Sequence, residues 1–408
     1  MRYIAYLALS LSLSLASCSI VSSTPVLNEV LASKGDTRPF ETPLPVNTAH
    51  KKLAIGYSVT VGVKEDGTVW SWGGDDYGSL GNGEEVYMSQ RIPKPIQGMT
   101  DFVEVAGTGS HFLALRKDGT VWSWGSNKEG QLGYATTKNY SAVPQQVVGL
   151  KDIVSVAASL GHSLALDKQG AVWGFGSNNN MQLGFAPKDN MVHVTPTKVW
   201  ANSEAVKVIA NGGKSAVLTN KGEIYYWGAD LFLQSHMTMV LPKKYDFPYP
   251  ARDVAIGMAI YVLTTDGFVW VQSGNNYVGE LGQGDFQRYE QPVKVKNIGP
   301  IKSITSTLSS GTALDEKGQI WQWGGNVYFP SNRSLGKNME PLPVLIDRFS
   351  SAVSVTGNSA NAVLLDNGEV YFWGLEKSGS RGTGKIREHR QSSRADWSVP
   401  EKSLWAWK

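Results

Sequence analysis

The stretch HFLALRKDGTVWSWG, His111 to Gly125, decides how this chain folds. His111 to Leu115 reads as a strand, and Thr120 to Trp124 reads as the next one. Between them Lys117-Asp118-Gly119 is a hairpin turn, with glycine supplying the positive φ that a tight turn needs. The pattern returns as TALDEKGQIWQWGG, Thr312 to Gly325. Its turn glycines are Gly67, Gly119, Gly170, Gly222, Gly267, Gly318 and Gly368. They are spaced by 52, 51, 52, 45, 51 and 50 residues. A period near fifty marks a repeat architecture, which works through a composite surface and argues against one deep pocket.

Outward from the hairpin, Phe102 to Val105 alternates and reads as a first strand, followed by a loop from Gly107 to Ser110. After the aromatic strand comes a polar loop from Gly125 to Gly133, containing Gln131-Leu132-Gly133. A last strand lies around Pro144 to Val148, where proline suits an outer edge that needs no donor. Four antiparallel strands make one propeller blade. The expected fold is all-β, a seven-bladed propeller with four antiparallel strands per blade, preceded by a signal peptide and a short tether.

The aromatic positions repeat too. Three residues after the turn glycine stand Trp70, Trp122, Trp173, Tyr225, Trp270, Trp321 and Tyr371. Five residues after it stand Trp72, Trp124, Phe175, Trp227, Gln272, Trp323 and Trp373. A spacing of two puts both on one face of the strand, where rings fill the wedge between blades. Trp405 and Trp407, in the carboxyl tail, are expected to matter much less than Trp122 or Trp321.

These features resemble the regulator of chromosome condensation repeat family: a strand, G-x-x-H-S, A-L, D-G-x-V-W-x-W-G, then Q-L-G and a proline. His111 and His162-Ser163 stand at its histidine position. Leu80-Gly81, Leu132-Gly133, Leu183-Gly184, Leu281-Gly282 and Leu335-Gly336 stand at its L-G position. The match covers about residues 43 to 400. The resemblance implies a seven-bladed propeller, in agreement with the count of repeats. It also implies binding or regulation: the eukaryotic prototype is a guanine-nucleotide exchange factor that binds chromatin, and a bacterial relative inhibits a β-lactamase.

Some blades are irregular. Blade four lacks the L-G loop and reads Ala229-Asp230-Leu231-Phe232-Leu233, followed by the aromatic connection Lys243 to Tyr249. Blade five has Gln272-Ser273-Gly274 in place of W-G, and blade seven has an Arg-rich loop, Arg381 to Arg394. Two segments compete to close the ring. One is Leu44-Pro45-Val46, joining the last blade, and the other is Trp397 to Pro400.

The amino terminus, MRYIAYLALSLSLSLASCSIVSS, has a positive flank at Arg2 and an apolar run too short to span a membrane well. Leu15-Ala16-Ser17-Cys18 resembles the bacterial lipoprotein signal, which implies cleavage before Cys18 and lipid on that residue. An ordinary secretory signal containing a cysteine is the alternative. Cys18 is the only cysteine in the chain, so it makes no internal disulfide. The expected organisation is a lipoprotein signal peptide over 1–17, a tether over 18–42 and the propeller over 43–408. The expected location is the cell envelope, lipid-anchored at the outer membrane and facing the periplasm or cell surface.

Among the 408 residues, 41% are apolar and 18% charged, which suits a folded chain. The net charge is +3, with no Lys/Arg block longer than two, so no nucleic-acid partner is expected. No H-E-x-x-H, G-x-S-x-G or Cys–His pair occurs. GSRGTGK, Gly379 to Lys385, misses a phosphate loop because Ile386 follows where Ser or Thr belongs. His111 and His162 occupy equivalent repeat positions and read as hydrogen-bonded structural residues. Asp75-Asp76 reads as a solvated acidic loop. No catalytic residue, metal or cofactor is expected, and a monomer is.

The loops joining strands one to two and three to four share one face, opposite the D-G hairpins. Varied loops on a fixed scaffold are how binding sites are commonly built. Tyr77, Lys128, Phe232, Tyr277 and Tyr328 are the candidate anchors for a protein partner. The function expected is a non-catalytic protein-binding propeller. The alternatives are an enzyme acting on envelope polymers and an inhibitor of an exported enzyme such as a β-lactamase.

Overall fold

The computed structural model describes residues 43–45, 51–84, 89–185, 192–230, 239–307, 309–325, 339–358, 360–374, 378, 380–384 and 400–408. Seven four-stranded sheets follow one another along the chain, each an antiparallel meander in sequence order. They form blades I to VII, over 53–95, 102–146, 153–200, 205–244, 251–294, 301–346 and 352–406. In blade II the strands are Phe102–Ala106, His111–Arg116, Val121–Ser126 and Tyr140–Gln146. The two central strands pair in register, His111 opposite Gly125 and Leu115 opposite Val121. First strands line a central channel, and outer strands carry the repeat prolines at the rim.

The W-G pair has a backbone reason. In blades I, II, III, IV and VI the pairing of third and outer strands slips by the aromatic position, as between Ser123 and Gly125. The residue after the ring then takes a positive φ, 95° at Gly125, and a Cβ there would meet Ser110 O at 2.3 Å. Glycine alone fits such a bulge without strain. Blade V has Ser273 at this position. Its outer strand is only Val293–Lys294, paired without a slip.

The two aromatic positions play different parts. Trp72, Trp124, Phe175, Trp227, Trp323 and Trp373 are fully buried between blades. Trp70, Trp122, Trp173, Trp270 and Trp321 are half-buried nearer the hairpins. Each buried indole reaches back to the preceding blade wherever that blade's loop is described. Trp124 donates to Ser79 O (3.0 Å), Trp227 to Gln182 O (2.8 Å), Trp323 to Glu280 O (3.0 Å) and Trp72 to Ser380 O (2.8 Å). The acceptor is always the residue just before the L-G position. In blade VII that motif is Ser380-Arg381-Gly382, so Arg381 stands where the other blades have leucine. It is fully buried, paired with Glu401 at 3.0 Å and bonded to Gly374 O, and does not belong to an exposed basic loop.

The irregularities of blades IV and V are one irregularity. Blade IV lacks the L-G loop, and blade V has Gln272 where a ring would have donated to it. The aromatic connection from blade IV fills the seam instead. Tyr245 is buried, its hydroxyl donates to Gln272 Oε1 at 2.7 Å, and it stacks on Phe247 with centroids 5.7 Å apart.

The structure decides ring closure. Glu401–Ala406 is the outer strand of blade VII, so among the described residues the carboxyl-terminal segment fills that place. Leu44 does not join the last blade. Its amide donates to Asn220 O in the blade IV hairpin (2.7 Å), and its side chain packs on the blade IV–V core. The burial of Trp405 speaks against the expectation that it matters much less than Trp122 or Trp321. At 2% exposure it lies 5.5 Å from Trp72 and covers Gly62, where a Cβ would come within 2.7 Å of the indole. Trp407 is only half-buried.

Candidate functional site

The loop between third and outer strands is built the same way in four blades. Asp75, Asn127, Asn178 and Asn276 each accept, through Oδ1, the amide of the L-G leucine at 3.0–3.1 Å. In the asparagines Nδ2 also ties down the outgoing chain, at Tyr134 O, Phe185 O and Asp285 O. These residues are buried fasteners, and the residue after each asparagine, Lys128, Asn179 or Tyr277, is exposed at the tip, while Asp76 and Tyr77 after Asp75 are half-buried. Burial raises the Asp75 carboxyl above the usual range, although the Leu80 amide favours the carboxylate. Asp76 accepts from Ser58 Oγ at 2.7 Å, so both acids serve the loop. Among the described residues no group of three His, Cys, Asp or Glu is placed to hold a metal ion.

A polar relay supports the loops from below. His111 Nε2 meets Ser163 Oγ at 2.9 Å, and Ser163 donates to Gln131 O at 2.8 Å. His162, Ser215 and Gln182 O repeat this one blade later, at 2.9 and 2.8 Å. Burial pushes both imidazoles down, His111 to about 3, with the His162 charge adding to it, and His162 to about 4. They are neutral, structural histidines, as their repeat positions suggested.

Of the five anchor candidates, the structure brings two together. Tyr77, in blade I at φ 61°, and Lys128, in blade II, sit on adjacent tips. Lys128 Nζ donates to Tyr77 Oη at 2.8 Å and lies 4.2 Å from the ring centroid. Tyr277 is on blade V and is 65% exposed. Phe232, Tyr328 and Cys18 lie outside the described residues.

Sequence reasoning missed Leu160 and Met258 on the inner rim of the same face. Tyr57, Leu160 and Met258 occupy the short turns between first and second strands and are 45%, 47% and 40% exposed. The Tyr57 amide donates to Gly109 O at 3.2 Å, and a Cβ on Gly109 would meet Leu160 at 3.5 Å. Tyr57, Gly109 and Leu160 therefore run side by side around the channel mouth from blade I to blade III. Leu160 and Met258 were hidden because apolar residues beside apolar strands read as strand. Aligning the repeats over the two residues before the second strand exposes them.

The opposite face repeats one turn chemistry, with Val148 of the blade II to III crossing as an apolar exception at 77% exposure. Asp66 and Asp118 each accept the amide and hydroxyl of the threonine two residues on, which holds both carboxyls low. Asp167 and Asp315 hold the turn from the end of the second strand and also take the indole N–H of Trp173 and Trp321, at 3.0 and 3.1 Å. Ion pairs lie around these turns, including Lys168–Asp152 at 2.8 Å and Arg116–Asp101 at 3.3 Å.

Comparison with known proteins agrees with this architecture. Residues 88–403 match the RCC1-like domain, and residues 51–79 match the regulator of chromosome condensation (RCC1) repeat. The ultraviolet-B receptor UVR8 of Arabidopsis thaliana is 26% identical over 368 residues, covering 86% of this chain and 71% of that protein. The human regulator of chromosome condensation is 28% identical over 357 residues, covering 79% and 83%. Yeast RCC1 (Prp20), solved bound to Kap60, superposes with a TM-score of 0.71 at 20% identity, over 98% of this chain and 91% of that one. Seven meander blades, a repeated L-G loop and a match across most of its length place this chain in the RCC1-like domain family.

Proposed function

We propose that the protein is a non-catalytic binding module that captures a protein partner on its loop face. The observation that carries this is the contrast in exposed chemistry between the faces. Tyr57, Leu160, Met258 and Tyr277 expose apolar surface on one side, where Lys128 adds a cation beside Tyr77. Aromatic residues and methionine are enriched at interfaces, and a few such side chains usually dominate the binding energy. The relatives support the reading at the level of class: a receptor, a regulator and a propeller solved with a protein bound. We further propose that the module is displayed in a bacterial envelope through lipid on Cys18, the reading supported by Leu15-Ala16-Ser17-Cys18.

The test is affinity capture from solubilised envelope with the tagged protein, repeated with Tyr57→Ala, Leu160→Ala and Tyr277→Ala. At least one of these should weaken capture by about 1 kcal/mol or more. A partner retained by all of them at full affinity contradicts the assignment of the face. For the anchor, Cys18→Ser should abolish lipid labelling and release the protein from membranes. Persistent membrane association after a salt wash argues against lipid as the attachment.

A further inference from the structure

The seam between blades IV and V holds a cavity of about 220 Å³ on the hairpin face. Gly222 and Ile224 of the blade IV hairpin line one side of it. Tyr245, Phe247 and Tyr249 of the aromatic connection line the other. The ring centroid of Tyr249 lies 4.7 Å from that of Trp270 and 5.7 Å from that of Phe247. The loops assigned to a partner are on the opposite face, so this cavity has no part in that reading.

The chain itself brings a segment to the cavity. Pro43-Leu44-Pro45 is seated on blade IV. The Leu44 amide donates to Asn220 O at 2.7 Å, and its side chain packs on the same buried cluster as Phe247 and Trp270. Lys51 lines the central channel, Asn220 stands at the hairpin, and Lys244, which lines the cavity, ends the outer strand Met239–Lys244. Followed upstream from Lys51 to Leu44, the chain heads outward, and the cavity comes next on that line.

The sequence says which residue arrives there. Pro43 and Pro45 are exposed while Leu44 is half-buried, the alternation of an extended chain with one face against the protein. A residue before proline favours extended backbone, and upstream of Leu44 both Arg38 and Thr42 stand before one. Extended backbone keeps Phe40, Thr42 and Leu44 on one face. Four residues of such chain put Phe40 roughly 13–14 Å from Leu44. Asn220 Oδ1 is a buried acceptor without a partner, close to the Leu44 amide on which Thr42 follows upstream.

We propose that Phe40 fills this cavity, with the Thr42 hydroxyl donating to Asn220 Oδ1, so that residues 39–45 form a strap over the seam of blades IV and V. The size fits a phenyl ring, since an apolar cavity of about 150 Å³ accepts benzene. Rings such as Phe247 and Tyr249 offer the edge-to-face contacts that aromatic pairs favour. The strap reinforces the seam where blade IV lacks the L-G loop and blade V lacks the indole donor. It also makes the tether leave on the hairpin face, and the loop face stays clear of it.

The experiment digests the full chain with chymotrypsin and times the cut after Phe40 by mass spectrometry. A synthetic peptide of residues 34–46 gives the rate for an unseated chain. The cut in the full chain should be roughly tenfold or more slower than in the peptide, the ratio that burying one phenyl ring supports. Tyr249→Ala removes one wall of the cavity and should restore most of the rate, while Lys317→Ala, on another hairpin, should leave it slow. A cut as fast as in the peptide overturns the proposal. Protection that Tyr249→Ala leaves intact overturns it too, because Phe40 is then held elsewhere. Protection that disappears on dilution means that the segment comes from a second copy, which also overturns it. Should Tyr249→Ala fail to fold, benzoylphenylalanine at position 40 decides. A photolink within the chain to residues 221–224 or 245–250 supports the seat, and a link elsewhere or none overturns it.

Discussion

The two faces of this ring are made from the same seven blades, yet they obey different rules. On the hairpin face one task recurs: close a tight turn and satisfy its amides. Asp66, Asp118, Asp167 and Asp315 do it with a carboxylate, Asn367 with an amide and Thr219 with a hydroxyl. On the loop face the recurring task is buried. Asp75, Asn127, Asn178 and Asn276 fasten the loop from within, which leaves the tip residues free to differ. Repeated turn chemistry on one side and varied apolar chemistry on the other is what a scaffold that binds through one face requires.

The largest effects should fall on neither face but in the seams between blades. Trp72→Ala and Trp405→Ala should each cost about 3–5 kcal/mol in denaturant unfolding, as buried aromatics do. Half-buried Trp407→Ala should cost less. The double variant should deviate from additivity, because the two rings touch. Equal losses for Trp405→Ala and Trp407→Ala would show that the ring does not close through Trp405.

A smaller effect is expected beneath the Tyr277 tip. Glu280 stands where Gln131 and Gln182 stand in other blades, and each of the three accepts an amide two residues before it. Burial raises the Glu280 carboxyl above its ordinary range, and Oε1 has no partner. A carboxyl with a raised folded-state pKa is favourable to the fold when protonated, and its contribution is lost as pH rises through that pKa. Glu280→Gln should therefore match wild type in stability near pH 4. It should exceed wild type by about 1 kcal/mol at pH 8, the scale of an unsatisfied buried polar group. A variant no more stable than wild type at pH 8 would show that the carboxylate is accommodated.

The smallest effects should come from the hairpin lysines. Lys168→Ala and Lys221→Ala break exposed pairs with Asp152 and Glu204, which solvent screens, so the melting temperature should barely move. Larger losses would mean that this face is more than a set of solvated turns.

The fold was legible because a fifty-residue period and a turn glycine repeat in every blade, and paired aromatics in six of the seven. Ring closure was not, since Leu44-Pro45-Val46 and the carboxyl tail carry the same strand-and-proline pattern. Only the tertiary position of Leu44 on blade IV separates them. Arg381 escaped notice for a related reason. A buried arginine replaces the leucine of the motif, and its charge reads as surface until Glu401 is seen beside it. The loop face was legible as a face, and the contact between Tyr77 and Lys128 on it is what the structure adds. Leu160 and Met258 were missed, because apolar residues on a short turn between two buried strands read as strand until the repeats are aligned.

The binding reading rests on the loop face alone, and one measurement addresses it. Partner capture should be compared, at matched folding, between a loop set, Tyr57→Ala, Lys128→Ala, Leu160→Ala and Tyr277→Ala, and a hairpin set, Lys117→Ala, Lys168→Ala and Lys317→Ala. The account predicts that at least one loop variant loses about 1 kcal/mol or more of affinity, with a melting temperature within about two degrees of wild type, while the hairpin set binds as wild type does. Loss of capture in the hairpin set with the loop set intact would contradict it.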